Sequence, residues 1–172
     1  ACATAMYYKD RVDIWAATQN PQADMETVGA MVGMDKEKIN VHVTMLGGAF
    51  GRKSKPDFSA EAAYLSMKTG KPIRVQWTRE DDLQNGFFHT VALEHMSAWM
   101  DGDGKVTGWL HRSVSPSISS LFAPNAEHLS PPELAQGVRN MPFNIPAVQL
   151  ETGASPGHVR IGWFRSVYNI PH

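Results

Sequence analysis

The first half of the chain alternates between the spacing of strands and the spacing of a helix. Apolar residues at every second position predict strands over residues 12–16 and 39–45. Between them, Asn20 can cap a helix, Pro21 suits its first position and Gly33 can end it. A helix between two short strands is typical of a fold that mixes α and β structure.

The second predicted strand leads into a glycine cluster, LGGAFGRKS, at residues 46–54. A P-loop needs glycine immediately before Lys53, where this chain has Arg52. The glycines also lack the spacing of the dinucleotide-binding fingerprint. The remaining interpretations are a turn whose backbone N–H groups approach a bound group closely, or a turn that only joins a strand to a helix.

A second helix is predicted directly after the glycine cluster. Ser54 and Asp57 have the spacing of a capping box, and Gly70 can end the helix. Its apolar residues lie on one predicted buried face: Phe58, Ala62 and Leu65. The two helices and the strands around them predict an α+β fold with a mixed sheet packed against two main helices.

The later part of the chain is predicted to be richer in strands and irregular structure. A third strand over residues 73–77 precedes a second capping box formed by Thr78 and Asp81, and residues 90–100 and 106–112 predict a hairpin across DGDG. Short strands are predicted at residues 147–151 and 158–161. Between the hairpin and these short strands, the proline-rich stretch 113–146 predicts a long irregular connection, which is often functional or in contact with another domain.

Composition excludes several classes of function. A formal net charge of -1 with a pI near 6.7 gives no electrostatic reason to expect nucleic acid as a partner. The single cysteine, Cys2, rules out a disulfide within the chain, and the scattered histidines do not predict a metal site built from side chains. Neither end has a start or stop pattern, so we expect a piece of a longer protein.

Four segments together resemble a known family. They are WAATQNPQ at residues 15–22, VHVTMLGGAFGRK at 41–53, VQWTREDDLQNGFFH at 75–89 and HVRIGWFRSVYNIPH at 158–172. Their order and separation resemble the large, molybdenum-binding subunits of the xanthine dehydrogenase, aldehyde oxidase and carbon monoxide dehydrogenase group. Within that group, they look most like isoquinoline 1-oxidoreductase beta subunits and membrane-associated aldehyde dehydrogenases.

The resemblance implies an identity for the whole chain and its partners. Residues 1–172 would be an amino-terminal fragment of the region that binds a molybdenum-pterin cofactor, in an oxidoreductase that oxidises an aldehyde or N-heterocycle with water as the oxygen source. The implied partners are the rest of the large subunit, an iron–sulfur or haem electron-transfer subunit and a small-molecule substrate. The resemblance also suggests a periplasmic or membrane-associated location.

The resemblance also implies a set of cofactor-binding residues. Gln19 would hydrogen-bond an oxygen ligand of molybdenum through its amide, and Arg165 would lie near the cofactor or such a ligand. The backbone N–H of Phe50 would face the metal's oxo group, within a turn made with its neighbours Gly47, Gly48, Ala49 and Gly51. These contacts would tune a metal that the pterin itself holds.

The resemblance assigns no catalytic residue to this chain. The family's catalytic base is a glutamate far downstream of the matching segments, so the chain alone is expected to be inactive. The sequence WFRSVYN also lacks the glycines that follow the arginine in xanthine dehydrogenases, which leaves the pose of Arg165 and the substrate class open. Without the family, Gln19 reads as a polar residue at a strand end, and the chain as a noncatalytic module that packs against a partner.

Overall fold

The computed structural model describes residues 1–123, 125–157 and 159–172. The chain divides into two compact units, Ala1–Gly86 and Phe87–His172, each with its own sheet. The predicted mixture of α and β structure is confirmed, with the strands shared between two open sheets. Within the described residues, no helix is long and apolar enough to cross a membrane.

The first unit contains four strands and three α-helices. In chain order they are β1 (Cys2–Tyr7), β2 (Val12–Ala16), α1 (Pro21–Val32), β3 (Ile39–Val43), α2 (Asp57–Thr69), β4 (Ile73–Gln76) and α3 (Arg79–Asn85). The strand order is β3-β2-β1-β4, with β1 antiparallel to both β2 and β4. Strands β2 and β3 are parallel, and α1 connects them.

Small residues allow the two main helices to pack closely on the sheet. Alternate residues of β1 and β2 are buried together with one face of α1 and α2. The buried apolar residues of this core are Ala3, Ala5, Val12, Ile14, Ala16, Val28, Ile39, Phe58, Ala60, Ala62 and Ala63. Because many of them are alanines, helix and sheet backbones can approach each other closely, and added side-chain volume would be poorly tolerated.

The predicted ends of α1 and the start of α3 are confirmed. The side chain of Asn20 accepts a hydrogen bond from the N–H of Ala23, and Gly33 ends α1 with φ 70°. At α3, Thr78 and Asp81 form both hydrogen bonds of a capping box. Local sequence therefore fixes where these helices begin or end.

Two details predicted for α2 are wrong. Ser54 belongs to a short 3-10 turn over Arg52–Ser54, and Pro56 stands at the cap position without a side-chain hydrogen bond, because this turn delays the helix start. Leu65 is 39% exposed, while the next residue of α2, Ser66, is fully buried. The Ser66 hydroxyl accepts a hydrogen bond from the N–H of Tyr7 and donates one to the carbonyl of Lys71, so a polar contact occupies the buried position.

The described residues of the second unit form a three-stranded sheet and one short α-helix. Its elements are β5 (Leu93–Met100), β6 (Val106–Val114), α4 (Pro131–Leu134) and β7 (Ala147–Thr152). The strand order is β5-β6-β7, with the predicted β5–β6 hairpin antiparallel and β6 parallel to β7.

The irregular connection predicted for residues 113–146 contains local structure. It includes the end of β6, a 3-10 turn at Ile118–Leu121 and α4. Pro124, within this connection, lies outside the described residues. In the strand predicted for residues 158–161, His158 also lies outside them, and Ile161 forms an isolated bridge with Phe88.

Asp24 is a buried carboxyl group on α1, and its replacement provides a test of the core. Neither of its oxygen atoms has a partner with hydrogen-bond geometry among the described residues. Burial raises the pKa of Asp24, and the nearby hydroxyls of Ser59 and Thr18 offset only part of this effect. The ionised form is therefore costly in the folded chain.

We expect Asp24→Asn to raise the free energy of unfolding at neutral pH by about 1 to 3 kcal/mol, because the amide keeps a polar side chain of the same size but removes the buried carboxylate charge. Because the folded-state pKa is raised, the contribution of Asp24 to stability is fully present below its unfolded pKa and is lost as the pH rises through the folded pKa. The advantage of Asp24→Asn should therefore shrink as the pH falls. Urea unfolding from neutral pH down to the ordinary pKa of aspartate measures this difference in stability, with Asp10→Asn as an exposed control. A stabilisation by Asp24→Asn that does not change with pH would contradict the prediction.

Candidate functional site

The parallel strands β2 and β3 end at the same edge of the first sheet. Ala16 pairs with Val43 at this edge, and the N–H of Thr44 donates to the carbonyl of Ala16 over 3.0 Å. The carboxyl ends of parallel strands are a common location for ligand sites in α/β proteins. The two segments that leave this edge contain Gln19 and the glycine turn, defined here as residues 47–51.

The structure brings Gln19 and the glycine turn together, although they are distant in sequence. The N–H of Gly51 donates to Oε1 of Gln19 over 2.9 Å, and the N–H of Gln19 donates to the carbonyl of Lys53 over 2.9 Å. A backbone N–H can only donate, so the amide atom that faces it must be the oxygen. This orientation leaves the Nε2 group of the exposed Gln19 side chain to donate to a ligand.

The backbone of the glycine turn adopts conformations that few residues tolerate. Gly48 has φ 147° and Gly51 has φ 95°, and Phe50 between them has φ 48°. A Cβ at Gly48 would lie 3.2 Å from the ring of Phe50, which is itself 63% exposed. A positive φ at an aromatic residue is uncommon and persists where neighbouring contacts hold it, so the turn has a specific shape.

Thr18 supports this arrangement, and the sequence interpretation missed it. Its buried hydroxyl donates to the carbonyl of Lys53 over 3.2 Å and accepts from the N–H of Asn20 over 3.1 Å. Thr18 therefore links the end of β2 and the start of α1 to the 3-10 turn that directly follows the glycine turn. A threonine two residues before a helix cap is a signal for such a local hydrogen bond and could have identified it.

Arg52 and Lys55, two of the cations that follow the glycine turn, interact with other groups of the first unit. Both terminal nitrogens of Arg52 donate to the carboxylate of Asp57, at 2.9 and 2.8 Å. The same guanidinium lies 5.6 Å from the ring of Trp77. Burial lowers the pKa of Lys55, an effect that Asp57 opposes and Arg52 reinforces. The donors that the glycine turn and Gln19 offer are backbone N–H groups and a side-chain amide, and these carry no charge.

Arg165 belongs to the second unit and is described there by itself. It is exposed and lies in a tight turn over residues 164–169, the Arg165 turn. The N–H of Val167 donates to the carbonyl of Phe164 over 2.9 Å, and that of Asn169 donates to the carbonyl of Ser166 over 2.8 Å.

Several acidic and imidazole side chains bond within the second unit. Glu94 accepts a hydrogen bond from Ser113 and lies 2.8 Å from Nε2 of His111, and Glu133 is surrounded by donors. Across residues 1–123, 125–157 and 159–172, no group of three His, Cys, Asp or Glu side chains is arranged to hold a metal ion.

The sequence pattern of the Molybdopterin cofactor-binding domain family matches residues 1–155, so the chain belongs to this family. One relative is the isoquinoline 1-oxidoreductase subunit beta of Brevundimonas diminuta, 30% identical over 112 residues, which are 64% of this chain and 14% of the relative. Aldehyde oxidase 3 of Mus musculus is 43% identical over 118 residues, which are 64% of this chain and 9% of the relative. The resemblance inferred from the four sequence segments is thereby confirmed.

The fold is also similar to that of a solved oxidoreductase structure. Quinoline 2-oxidoreductase from Pseudomonas putida 86 matches with a TM-score of 0.74 and 24% identity, over 98% of this chain and 22% of that one. At this identity the likeness shows the fold alone. The chain spans less than a quarter of the length of each of these three proteins.

Proposed function

We propose that this chain is part of a molybdenum hydroxylase-type oxidoreductase, which oxidises an aldehyde or an N-heterocycle with water as the oxygen source. The observation that carries the proposal is the hydrogen bond between Gln19 and Gly51. It joins an amide side chain and a strained backbone turn at the carboxyl ends of two parallel strands, within a chain of the molybdopterin cofactor-binding family. The chain alone is expected to be inactive.

The residues present fit the oxygen atoms of such a cofactor. Gln19 offers its Nε2 group, and the glycine turn offers backbone N–H groups, including that of Phe50, without adding a charge. The positive φ at Gly48 and Gly51 lets the backbone approach a bound group closely. We also propose Arg165 as a cofactor-binding residue, through its charged guanidinium donors. When bound, the molybdenum-pterin group supplies the redox chemistry, and these residues bind and orient it.

The substrate class and the partners are inferred from the relatives. One relative is named for isoquinoline and another for aldehydes, which supports a planar N-heterocycle or an aldehyde as the substrate here. The first is also named as a subunit. We propose as partners the rest of the large subunit and an electron-transfer subunit that carries iron–sulfur clusters or haem.

Cofactor content tests the proposal directly. The complete polypeptide that carries this chain, purified from a host that makes the cofactor, should contain molybdenum and pterin in equal amounts by metal analysis and fluorescence of the oxidised pterin. Residues 1–172 alone, expressed in the same host, are the matched control and should retain neither. A complete, folded polypeptide without molybdenum or pterin would contradict the proposal and favour a noncatalytic packing module.

A further inference from the structure

The Arg165 turn contains two consecutive residues in a backbone conformation that is rarely populated. Ser166 has φ 67° and Val167 has φ 48°. For a β-branched residue such as Val167, a positive φ is a clear outlier, because its Cβ crowds the backbone. Strained backbone of this kind persists only where the surrounding structure holds it.

The next residue, Tyr168, makes contacts that can hold this strained backbone in place. It is fully buried, its hydroxyl donates to the carbonyl of Pro116, and its N–H donates to Oε1 of Gln136 over 3.2 Å. Its ring also stacks on that of His172, with 5.5 Å between the ring centroids. We name these contacts with Pro116, Gln136 and His172 the Tyr168 anchor.

The carbonyl that receives the Tyr168 hydroxyl is itself fixed. It also accepts a hydrogen bond from Thr90 over 3.2 Å. The following residue, Ser117, donates to the buried carboxylate of Glu133, which also accepts from the N–H groups of Ile118 and Ser130. Part of the irregular connection after β6 therefore forms a rigid acceptor for Tyr168.

The Tyr168 hydroxyl remains a donor over the whole neutral range. Burial raises the pKa of Tyr168 to about 12, and the nearby carboxylate of Glu133 acts in the same direction. The hydrogen bond to Pro116 is therefore not titrated at the pH values where the protein would be studied.

We propose that Tyr168 is a positioning residue for Arg165, and that the Tyr168 anchor holds the strained turn that presents the guanidinium. The proposal rests on the proposed function, in which Arg165 contacts the cofactor. Only Ser166 and Val167 separate the two residues, so a shift of Tyr168 is transmitted directly to the Arg165 backbone.

Two conservative variants of the complete subunit test this role. Tyr168→Phe removes the hydroxyl and keeps the ring, and Gln136→Leu removes the acceptor of the Tyr168 N–H. We expect hydrogen exchange at the Val167 and Asn169 amides to be about three- to tenfold faster in either variant without cofactor, the effect of losing one hydrogen bond. Tyr64→Phe, which removes a partly exposed hydroxyl in the first unit, is the control and should leave exchange there unchanged.

A double-mutant cycle separates positioning from general stability. Tyr168→Phe and Arg165→Ala should each lower the retained molybdenum, and the double variant should retain as much as Arg165→Ala alone, because positioning has no effect once the guanidinium is gone. Additive losses would indicate a merely structural role and overturn the proposal.

The remaining outcomes distinguish this inference from the proposed function. Unchanged exchange in both Tyr168→Phe and Gln136→Leu overturns the anchor. Faster exchange with normal molybdenum in Tyr168→Phe, while Arg165→Ala loses molybdenum, overturns the positioning role alone. Normal molybdenum in Arg165→Ala overturns the role of Arg165 in the proposed function, and the positioning role with it.

Discussion

Phe50→Pro in the complete subunit is expected to lower molybdenum retention and turnover by at least about tenfold, the loss typical when a residue supporting a metal site is removed. Proline fixes φ near −65°, whereas Phe50 has φ 48°, so the glycine turn cannot keep its shape. Proline also removes the backbone N–H that we propose donates to the cofactor. Metal analysis and steady-state kinetics of the purified variant measure the two effects.

Phe50→Gly is the matched control for this substitution. It removes the same exposed ring but keeps the N–H and tolerates the positive φ without strain. It should therefore retain molybdenum within a few-fold of the parent. Equal losses in the proline and glycine variants would show that the ring matters instead of the backbone, and normal retention in Phe50→Pro would refute the assignment of Phe50.

Gln19→Glu is expected to lower cofactor affinity or turnover by roughly 10- to 100-fold while leaving the fold intact. A carboxylate can still accept the hydrogen bond from the Gly51 N–H, so the glycine turn should keep its shape. It cannot donate, however, and it brings a negative charge towards the oxygen atoms of the cofactor. The midpoint temperature of thermal unfolding of the cofactor-free protein should therefore change little, whereas molybdenum content and kcat should fall.

Two further variants separate the contributions of Gln19. Gln19→Ala also removes the acceptor of the Gly51 N–H, so it should destabilise the chain by about 0.5 to 1.5 kcal/mol in addition to weakening cofactor retention. Gln22→Glu adds the same charge on the exposed surface of α1, where the Gln22 amide donates to Glu26, and should have no effect on molybdenum. If Gln22→Glu lost as much molybdenum as Gln19→Glu, the loss would be an effect of net charge and would not support a specific role for Gln19.

The parts of the fold that depend on local chemistry were predictable. The alternation of β2, the Asn20 cap and the Thr78–Asp81 capping box each act within a few residues, and the structure confirms them. The start of α2 was not predictable from spacing alone, because the 3-10 turn at Arg52–Ser54 occupies the residues that would have formed its cap. Leu65 shows the same limit, since its exposure depends on which side of α2 meets the sheet.

The candidate site was predictable only in part. The family resemblance singled out Gln19 and the glycine cluster, but periodicity and spacing gave no reason to connect them, because their contact depends on the register of β2 with β3. Tyr168 carried no signal, since its partners Pro116 and Gln136 lie in a proline-rich stretch without a regular period. Contacts between distant residues are decided by packing, which a local pattern does not contain.

The bond between Gln19 and Gly51 joins residues 32 positions apart, across the whole length of α1 and β3. This bond can form only when the sheet is assembled and α1 is packed. The entropy cost of ordering the Gln19 side chain and the Gly51 backbone is therefore part of the folding free energy of the first unit. A ligand that binds there meets donors whose conformational entropy is already lost. In the proposed function, the affinity of this site for the cofactor is therefore tied to the stability of the β2–α1–β3 connection as well as to the atoms in contact.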